Sequence, residues 1–268
     1  MPDIARANDS QTHAPQVDNA QPTSSPASKR FARTELLAGA TAMEKLAHAR
    51  VAVFGVGGVG GFVIEALARS GVGAIDVIDN DTVSETNINR QLLATESTIG
   101  REKIDVARER ILDINPNCAV RAHKCFYLPA TKDQFDFSQY DYVVDAVDTV
   151  TAKLQIIQEA HDCHVPVISC MGAGNKFDPG KLKIADINET SVCPLAKVIR
   201  KECRKRGIPG FKVVYSTEPA HTPRPDPNDP ATELPPEGRR SLPGSFAPVP
   251  ATAGLMMAAE VLRDIAEI

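Results

Sequence analysis

The sequence lacks any pair of cysteines with the Cys-x-x-Cys spacing, although it contains six cysteines. Paired cysteines of that spacing supply the ligands of many structural zinc sites, so their absence argues against a zinc-binding module. Several of the six lie in apolar segments, which is typical of reduced, buried thiols in a cytosolic protein rather than of a disulfide scaffold. We therefore expect a cytoplasmic location and a fold that needs neither disulfides nor zinc.

The chain also lacks a strong net charge and a long apolar run. Its formal net charge of −4 provides no cationic field that would attract nucleic acid or a membrane, so any such contact must come from a local patch. The most apolar late segment, residues 253–265, is interrupted by Glu260 and Arg263 and is too short to span a bilayer. Residues 1–28 are polar, contain no apolar core of signal-peptide type and are expected to form a disordered tail. No membrane partner is expected.

What the sequence does have is a glycine-rich run, residues 51–61, in which an apolar strand ends and a helix begins. Glycine at such a junction lets the backbone turn sharply and lets a phosphate approach the amides at the positive end of the helix. The glycines concerned are Gly55, Gly57, Gly58 and Gly60. Alone, this motif most often indicates NAD or FAD, and Asp79 lies at the usual distance for a ribose contact. On the motif alone, an NAD-dependent oxidoreductase or a non-catalytic nucleotide-binding scaffold stays open.

The order of predicted elements favours an α/β fold built on a doubly wound, mostly parallel, Rossmann-like sheet. Strands are predicted at about residues 51–54, 74–79, 120–127, 141–148 and 166–171, and helices at about residues 30–45, 58–70, 103–115 and 152–163. Alternating strands at residues 181–187 and 211–217 predict an antiparallel C-terminal extension. Residues 219–250 are rich in proline, which predicts a crossover loop without regular structure. A final helix is expected to close a single domain that spans residues 29–268.

The residues that follow the glycine loop favour ATP over a dinucleotide. Their order, which a plain dinucleotide site does not require, is Asp79, Asn87, Arg90, Lys103 and Asp148. This order resembles the adenylating domain of the ubiquitin-activating-enzyme-like superfamily, in which a glycine loop, an aspartate, an Asn-x-x-Arg and a lysine surround ATP. Within that superfamily the chain is similar to the tRNA threonylcarbamoyladenosine dehydratases from about residue 29 to residue 268. The segments that carry the closer similarity are 30–33, 190–197, 215–219 and 243–246.

The resemblance implies a homodimer that uses ATP and Mg²⁺ to cyclise a modified adenosine beside the anticodon of tRNA. Asp79 would accept hydrogen bonds from the ribose. Three side chains would neutralise the triphosphate and the charge that grows as pyrophosphate leaves, namely Asn87, Arg90 and Lys103. Asp148, at the carboxyl end of a central strand, would hold Mg²⁺.

Three assignments have a competing interpretation. By resemblance to the superfamily, Arg33 or Arg30 could reach the phosphates of the neighbouring subunit as an arginine finger, and Arg33 is favoured. Asp145 and Asp148 could instead cap the helix that follows them. Cys193 could be a reactive thiol, but a structural role is favoured.

The absence of zinc-binding cysteine pairs and of an obvious transfer thiol limits the possible substrates. Relatives that activate ubiquitin-like or sulfur-carrier proteins need a nucleophilic cysteine or a nearby sulfur donor, and many carry zinc-binding Cys-x-x-Cys pairs. Without them, the acyl adenylate must be consumed by a group already in the substrate, and cyclisation of the threonylcarbamoyl group meets that requirement. The alternative is an ATP-dependent activator of the C-terminus of a sulfur-carrier or ubiquitin-like protein. A sulfur-relay or tRNA-modification protein is a further candidate partner.

A basic helix predicted at residues 194–206 is the expected tRNA contact, because a cationic stripe can hold phosphates. Its cations are predicted on one side, namely Lys197, Arg200, Lys201, Arg204 and Lys205. Its apolar residues are predicted on the other side, namely Leu195, Val198, Ile199 and Cys203. An ordinary solvated helix face is the competing interpretation.

Overall fold

The structure, a computed structural model, describes residues 29–224 and 243–268. The predicted disordered tail and residues 225–242 of the predicted proline-rich loop lie outside the described residues. The strands are β1 (Arg50–Phe54), β2 (Ala74–Asp79), β3 (Ala119–Lys124), β4 (Tyr142–Asp145), β5 (Val167–Cys170), β6 (Leu182–Asp186) and β7 (Lys212–Ser216). The helices are α1 (Ala32–Ala38), α2 (Ala40–His48), α3 (Gly60–Arg69), α4 (Lys103–Ile114), α5 (Val150–Asp162), α6 (Pro194–Lys205) and α7 (Pro248–Ala266).

The strands form one seven-stranded sheet in the order β3-β2-β1-β4-β5-β7-β6. All neighbours run parallel except β6 and β7, which pair antiparallel with Leu182 opposite Ser216. The prediction of a doubly wound, mostly parallel α/β sheet with an antiparallel C-terminal extension is therefore confirmed. The strand order changes direction between β1 and β4, so a crevice opens beyond their carboxyl ends, where doubly wound sheets bind ligands.

Alternation along β1 divides the core between the two faces of the sheet. Val51 and Val53 belong to a cluster formed with α2, α3, α4 and α7, whereas Ala52 and Phe54 belong to a cluster formed with α5 and α6. Successive side chains of a strand point to opposite faces, and all four are fully buried. The start of the glycine loop is therefore anchored on both faces.

Helix α7 crosses α3 at very short range. A Cβ atom on Gly254 would lie 2.3 Å from the carbonyl oxygen of Val59, so only glycine permits this crossing. The same packing brings Pro250, in the first turn of α7, to 3.4 Å from the position that a Cβ on Gly58 would occupy. The final helix therefore borders the glycine loop. Among residues 29–224 and 243–268, no helix is long and apolar enough to cross a membrane.

The prediction that residues 219–250 lack regular structure is wrong at its carboxyl end. Helix α7 begins at Pro248 and includes Pro250. The amides of the first helical turn have no acceptor within the helix, so proline loses little there.

Other boundaries differ by a few residues. The helix predicted at residues 30–45 is broken at Gly39, whose φ of +86° separates α1 from α2. Strand β3 ends at Lys124 rather than near residue 127. Strand β4 ends at Asp145, so Asp148 lies in the turn beyond the strand.

Candidate active site

The glycine loop connects β1 to α3, and two of its glycines are required by packing. Gly55 has a φ of +85°, and a Cβ there would lie 2.9 Å from the carbonyl oxygen of Ala146. A Cβ on Gly60 would lie 1.8 Å from the carbonyl oxygen of Gly55. Gly57 has room, because the nearest atom to its added Cβ would be 3.7 Å away. Unlike Gly55 and Gly60, Gly57 is not required by a close contact within the protein, and the absence of a side chain there leaves the surface of the loop accessible.

Asp79, the last residue of β2, holds this loop through its carboxylate. Oδ2 accepts a hydrogen bond of 2.8 Å from the amide of Val56, and Oδ1 accepts one of 2.9 Å from the amide of Asp81. Burial raises the pKa of Asp79, although the Lys103 ammonium and the two amides favour its charged form. Asp79 thus orders the glycine loop, a role that its predicted contact with a ribose does not include.

Lys103 is the first residue of α4, and its side chain is buried beside Asp79. Only 4% of the residue is exposed, and Nζ lies 2.7 Å from Oδ2 of Asp81. A buried ammonium requires such a partner. Asp81 was not among the predicted site residues, although it is the acidic residue nearest to Asp79 in the same run.

Asn87 and Arg90 lie on the irregular segment between β2 and α4. The Asn87 side chain accepts a hydrogen bond of 3.2 Å from the amide of Ser84, which closes a short 3₁₀ turn. Arg90 Nη1 donates to the carbonyl oxygen of Thr86 and to Oδ1 of Asn89, each at 2.8 Å. Burial lowers the pKa of Arg90, so an anionic ligand would offset the cost of partly removing this charge from water.

Arg90 and Gln91 border the open glycines. The Arg90 Cγ lies 3.6 Å from the position that a Cβ on Gly58 would occupy, and Gln91 Nε2 lies 3.7 Å from the equivalent position on Gly57. Gln91, which is buried, is a second residue that the sequence prediction did not include. The structure therefore brings Arg90 to the glycine loop, Asp79 binds the same loop from β2, and Lys103 of α4 lies beside Asp79.

Asp148 lies in the turn between β4 and α5, with an exposed side chain. Its Oδ1 accepts a hydrogen bond of 3.3 Å from Oγ1 of Thr149. Thr149 is the residue at the N-cap position of α5, rather than Asp145 or Asp148. Asp145 is fully buried beside Lys153, so its role is also different from the predicted cap.

Arg33 is not brought together with these residues within one chain. It lies on α1, none of whose residues is buried. Phe31, two residues before Arg33, packs beside Gly71, just beyond the carboxyl end of α3. The glycine loop lies at the opposite end of that helix, before its amino end. Arg30 lies in the same segment. Arg33 therefore lies toward the end of α3 that is remote from the glycine loop.

The basic helix is present as α6, but the predicted positions of two of its side chains are wrong. Arg200 is half-buried and donates to the carbonyl oxygens of Ile187 and Thr190 at 3.2 and 3.0 Å, so it stabilises the preceding turn instead of facing solvent. Val198 is exposed, although it was predicted on the apolar side. Four cations are exposed as predicted, namely Lys197, Lys201, Arg204 and Lys205. Cys193 is buried.

Residues 215–219 and 243–246 each contact the segment that follows β5. The carboxylate of Glu218 accepts hydrogen bonds from the amides of Phe177 and Asp178 at 3.0–3.2 Å. Burial acts to raise the pKa of Glu218, but these amides and His221 hold it below its usual value. In the same region the amide of Gly244 donates to the Asn175 side chain at 2.7 Å. Residues 175–178 thus connect residues 215–219 with residues 243–246.

Fold and site together define a nucleotide-binding protein of the doubly wound α/β class. The chain belongs to the ThiF family, whose profile matches residues 30–268. It is 45% identical over 239 residues to the tRNA threonylcarbamoyladenosine dehydratase of Bacillus subtilis (strain 168), a similarity that covers 88% of this chain and 94% of that relative. The resemblance found in the sequence is therefore confirmed.

Solved structures of the E. coli tRNA N6-threonylcarbamoyladenosine dehydratase share the fold. The complexes with AMP and with ATP match with TM-scores of 0.79 and 0.78, and each is 33% identical and covers 89% of this chain and 94% of that chain. The adenylyltransferase and sulfurtransferase UBA4 of Vanderwaltozyma polyspora is 32% identical, but over only 62% of this chain and 38% of that relative. The similarity to a sulfur-transferring protein is thus more distant.

Proposed function

We propose that this protein is an ATP-dependent dehydratase that cyclises threonylcarbamoyladenosine in tRNA through an acyl adenylate. Residues 29–268 would form a single adenylation domain of a cytoplasmic enzyme. The observation that carries the proposal is the convergence of Arg90 and Lys103 on the glycine loop that Asp79 orders. The similarity to named dehydratases along nearly their whole length supports the same function.

The first chemical step would form a mixed anhydride. The carboxylate of the threonylcarbamoyl group attacks the α-phosphorus of ATP, and the bond to pyrophosphate breaks. Asn87, Arg90 and Lys103 would bind the triphosphate and stabilise the charge that moves onto the leaving group. Asp79 would accept a hydrogen bond from the ribose with the lone pairs that Val56 and Asp81 leave available.

The second step would close the ring. The carbamoyl group attacks the activated carboxyl carbon, AMP leaves with the electron pair of the broken C–O bond, and one carbamoyl N–H proton is lost. The nucleoside therefore becomes lighter by one water. Nucleophile and electrophile belong to one side chain, so the step is unimolecular and needs no transfer thiol. The burial of Cys193 agrees with this scheme.

Asp148 would hold Mg²⁺. Its exposed carboxylate at the carboxyl end of the sheet is a hard oxygen donor of the kind that Mg²⁺ prefers. No group of three or more His, Cys, Asp or Glu residues in the described part of the chain could hold a metal ion. The residues present therefore fit an ion bound by one carboxylate together with substrate phosphates and water. When bound, Mg²⁺ would neutralise charge on the phosphates.

The tRNA would contact the exposed cations of α6. Lys197 and Lys201 lie one turn apart on the exposed face, which suits successive phosphates of one strand. Arg200 is not included, because it is used within the fold.

The active form would be a homodimer in which α1 is covered by the second subunit. Leu36 and Leu37 are 87% and 90% exposed in the single chain. Two adjacent leucines with this exposure on one short helix are typical of an interface. The proposal places Arg33 of each subunit at the nucleotide of the other.

Incubation of the purified protein with ATP, Mg²⁺ and tRNA that carries threonylcarbamoyladenosine tests the function. The expected result is AMP, pyrophosphate and a nucleoside lighter by one water. An Arg90→Ala variant serves as the inactive control. An unchanged nucleoside mass would refute the dehydratase proposal. Pyrophosphate exchange that depends on a partner protein ending in Gly-Gly, and not on tRNA, would instead favour the activator of a sulfur carrier.

A further inference from the structure

Beneath the turn that carries Asp148, three polar side chains form a fully buried cluster. Asp145 is 0% exposed, Lys153 1% and Ser169 0%. Lys153 Nζ lies 2.9 Å from Oδ2 of Asp145 and 3.4 Å from Oγ of Ser169. Ser169 also donates a hydrogen bond to Oδ2 of Asp145, its direct neighbour in the register of β4 and β5.

Stability alone does not account for this ion pair. Removing two charges from water is costly, and apolar residues of similar volume often stabilise the folded state as well or better. Lys153 comes from the second turn of α5, where an unbranched apolar residue would fill the same space. Packing volume alone therefore does not require the two charges here.

The contacts of Asp145 connect the ion pair to the turn that follows β4. While Oδ2 is held by Lys153 and Ser169, Oδ1 accepts a hydrogen bond of 3.2 Å from the amide of Val147. This bond bends the chain immediately after β4 and directs the turn toward Asp148. The carboxylate is thus fixed on one side by the helix and the neighbouring strand, and on the other it fixes the turn.

The same turn supports the glycine loop. The amide of Ala146 donates to the carbonyl oxygen of Phe54 at 2.9 Å, and the carbonyl oxygen of Ala146 is the atom that a Cβ on Gly55 would meet at 2.9 Å. A shift of the turn would therefore move both Asp148 and the backbone at Gly55. Both belong to the proposed nucleotide site.

We propose that Lys153 is a positioning residue for adenylation, which fixes Asp145 and thereby the relative placement of Asp148 and the glycine loop. This inference rests on the proposed function. Lys153 does not act on the nucleotide directly, because its ammonium is enclosed and bound to Asp145 and Ser169. Its effect passes through the turn.

The test compares Lys153→Met with the double variant Asp145→Asn/Lys153→Met. Lys153→Met leaves Asp145 buried without its cation and is expected to be much less stable. The double variant removes both charges together and leaves no unpaired buried ion, so it is expected to fold, but its asparagine is no longer held by an ammonium and fixes the turn less firmly. In the folded double variant, the Mg²⁺ concentration for half-maximal pyrophosphate exchange is expected to rise about 10- to 100-fold, as for other residues that orient a metal ligand.

The matched control is Lys132→Met, because Lys132 forms a surface ion pair with Glu159 of the same helix at 3.0 Å. This variant is expected to keep the wild-type Mg²⁺ requirement, whereas a merely structural role of Lys153 would lower the melting temperature without changing that requirement. Wild-type Mg²⁺ dependence in the folded double variant would overturn the inference. Calorimetric titration of ATP with and without Mg²⁺ gives the same comparison without tRNA. If the wild-type protein binds ATP with Mg²⁺ but leaves tRNA unchanged, the dehydratase proposal is refuted, whereas the positioning role of Lys153 is still tested by the calorimetric titration.

Discussion

The Lys103 ammonium lies 2.7 Å from the Asp81 carboxylate, at the amino end of α4 and beside Asp79. One partner is buried and the other is largely exposed. An exposed carboxylate can turn toward water when a more highly charged anion arrives, whereas the buried ammonium stays in place. We therefore expect the ion pair to keep the Lys103 ammonium beside Asp79 until a triphosphate binds. The triphosphate would then replace Asp81 as the partner of Lys103.

Replacement of Lys103 by alanine is expected to lower pyrophosphate exchange by about 100-fold or more, because a preorganised charge on the leaving group is lost. The fold should persist, since Asp81 can be solvated. Lys124→Ala is the control: Lys124 pairs with Glu102, the residue before Lys103, at 2.6 Å on the surface. Its loss should change exchange by less than about twofold. Equal losses in the two variants would contradict the role of Lys103.

The two kinds of glycine in the loop predict two kinds of defect. In Gly60→Ala the new Cβ would lie 1.8 Å from a backbone oxygen, so the protein is expected to be strongly destabilised. In Gly57→Ala the nearest atom is 3.7 Å away, so the melting temperature should change little. The added methyl group would instead obstruct the open loop and weaken ATP binding in calorimetry. Full ATP affinity in Gly57→Ala would show that phosphate does not approach there.

Much of the fold follows from local patterns. The apolar run at residues 51–54 and the glycine run that follows predict a strand, a sharp turn and a helix, because backbone geometry there depends on neighbouring residues. Asp79 and Lys103 could likewise be proposed for the site from their order alone. These features need no knowledge of distant contacts.

The contacts that organise the site join residues that are distant in the sequence, so local patterns do not predict them. Asp145 meets Ser169 only because β4 and β5 pair in one particular register, and a single sequence does not specify that register. Arg200 leaves the cationic face because the turn that ends at Thr190 presents carbonyl oxygens to it. Helical periodicity places a side chain on a face, but it does not say which polar groups a neighbouring loop brings there.

The attachment of α7 to β7 predicts a pH-dependent difference in stability. Lys212 Nζ lies 2.8 Å from Glu260 Oε1, and this hydrogen bond is the main cause that lowers the pKa of Glu260. A carboxyl group with a lowered pKa stabilises the folded state above its unfolded pKa, and this contribution is lost as pH falls through the folded pKa. Lys212→Met should therefore cost about 1 kcal/mol or less at pH near 7, since Lys212 is partly exposed.

The measurement is thermal unfolding of both proteins between about pH 7 and pH 3, a range that includes the ordinary carboxyl pKa values. The difference in melting temperature should shrink toward acid, where Glu260 becomes protonated in both proteins. A difference that stays constant over the whole range would mean that packing of the Lys212 stem, and not its charge, stabilises α7.

The exposed face of α6 predicts a salt-dependent loss of tRNA binding. Lys197→Ala/Lys201→Ala should weaken binding for all tRNAs and reduce the slope of log affinity against log salt by about one per lost phosphate contact. Lys124→Ala is the control, because Lys124 lies on β3 rather than α6 and pairs with Glu102 at 2.6 Å. If the double variant gives the same salt slope as Lys124→Ala and the wild type, α6 is an ordinary solvated helix face.

The position of Arg33 predicts that two inactive variants restore activity when mixed. Within one chain Arg33 lies toward the end of α3 that is remote from the glycine loop, whereas Arg90 borders that loop. If each subunit supplies Arg33 to the other, Arg33→Ala and Arg90→Ala protomers can form a mixed dimer with one site that has both arginines. Random exchange of protomers would then give about a quarter of the wild-type turnover. A mixture containing Leu36→Arg/Arg33→Ala in place of Arg33→Ala should not recover, because the added charge would prevent association through α1. Recovery that persists with Leu36→Arg would place the interface elsewhere, and no recovery in either mixture would mean that Arg33 does not act in trans.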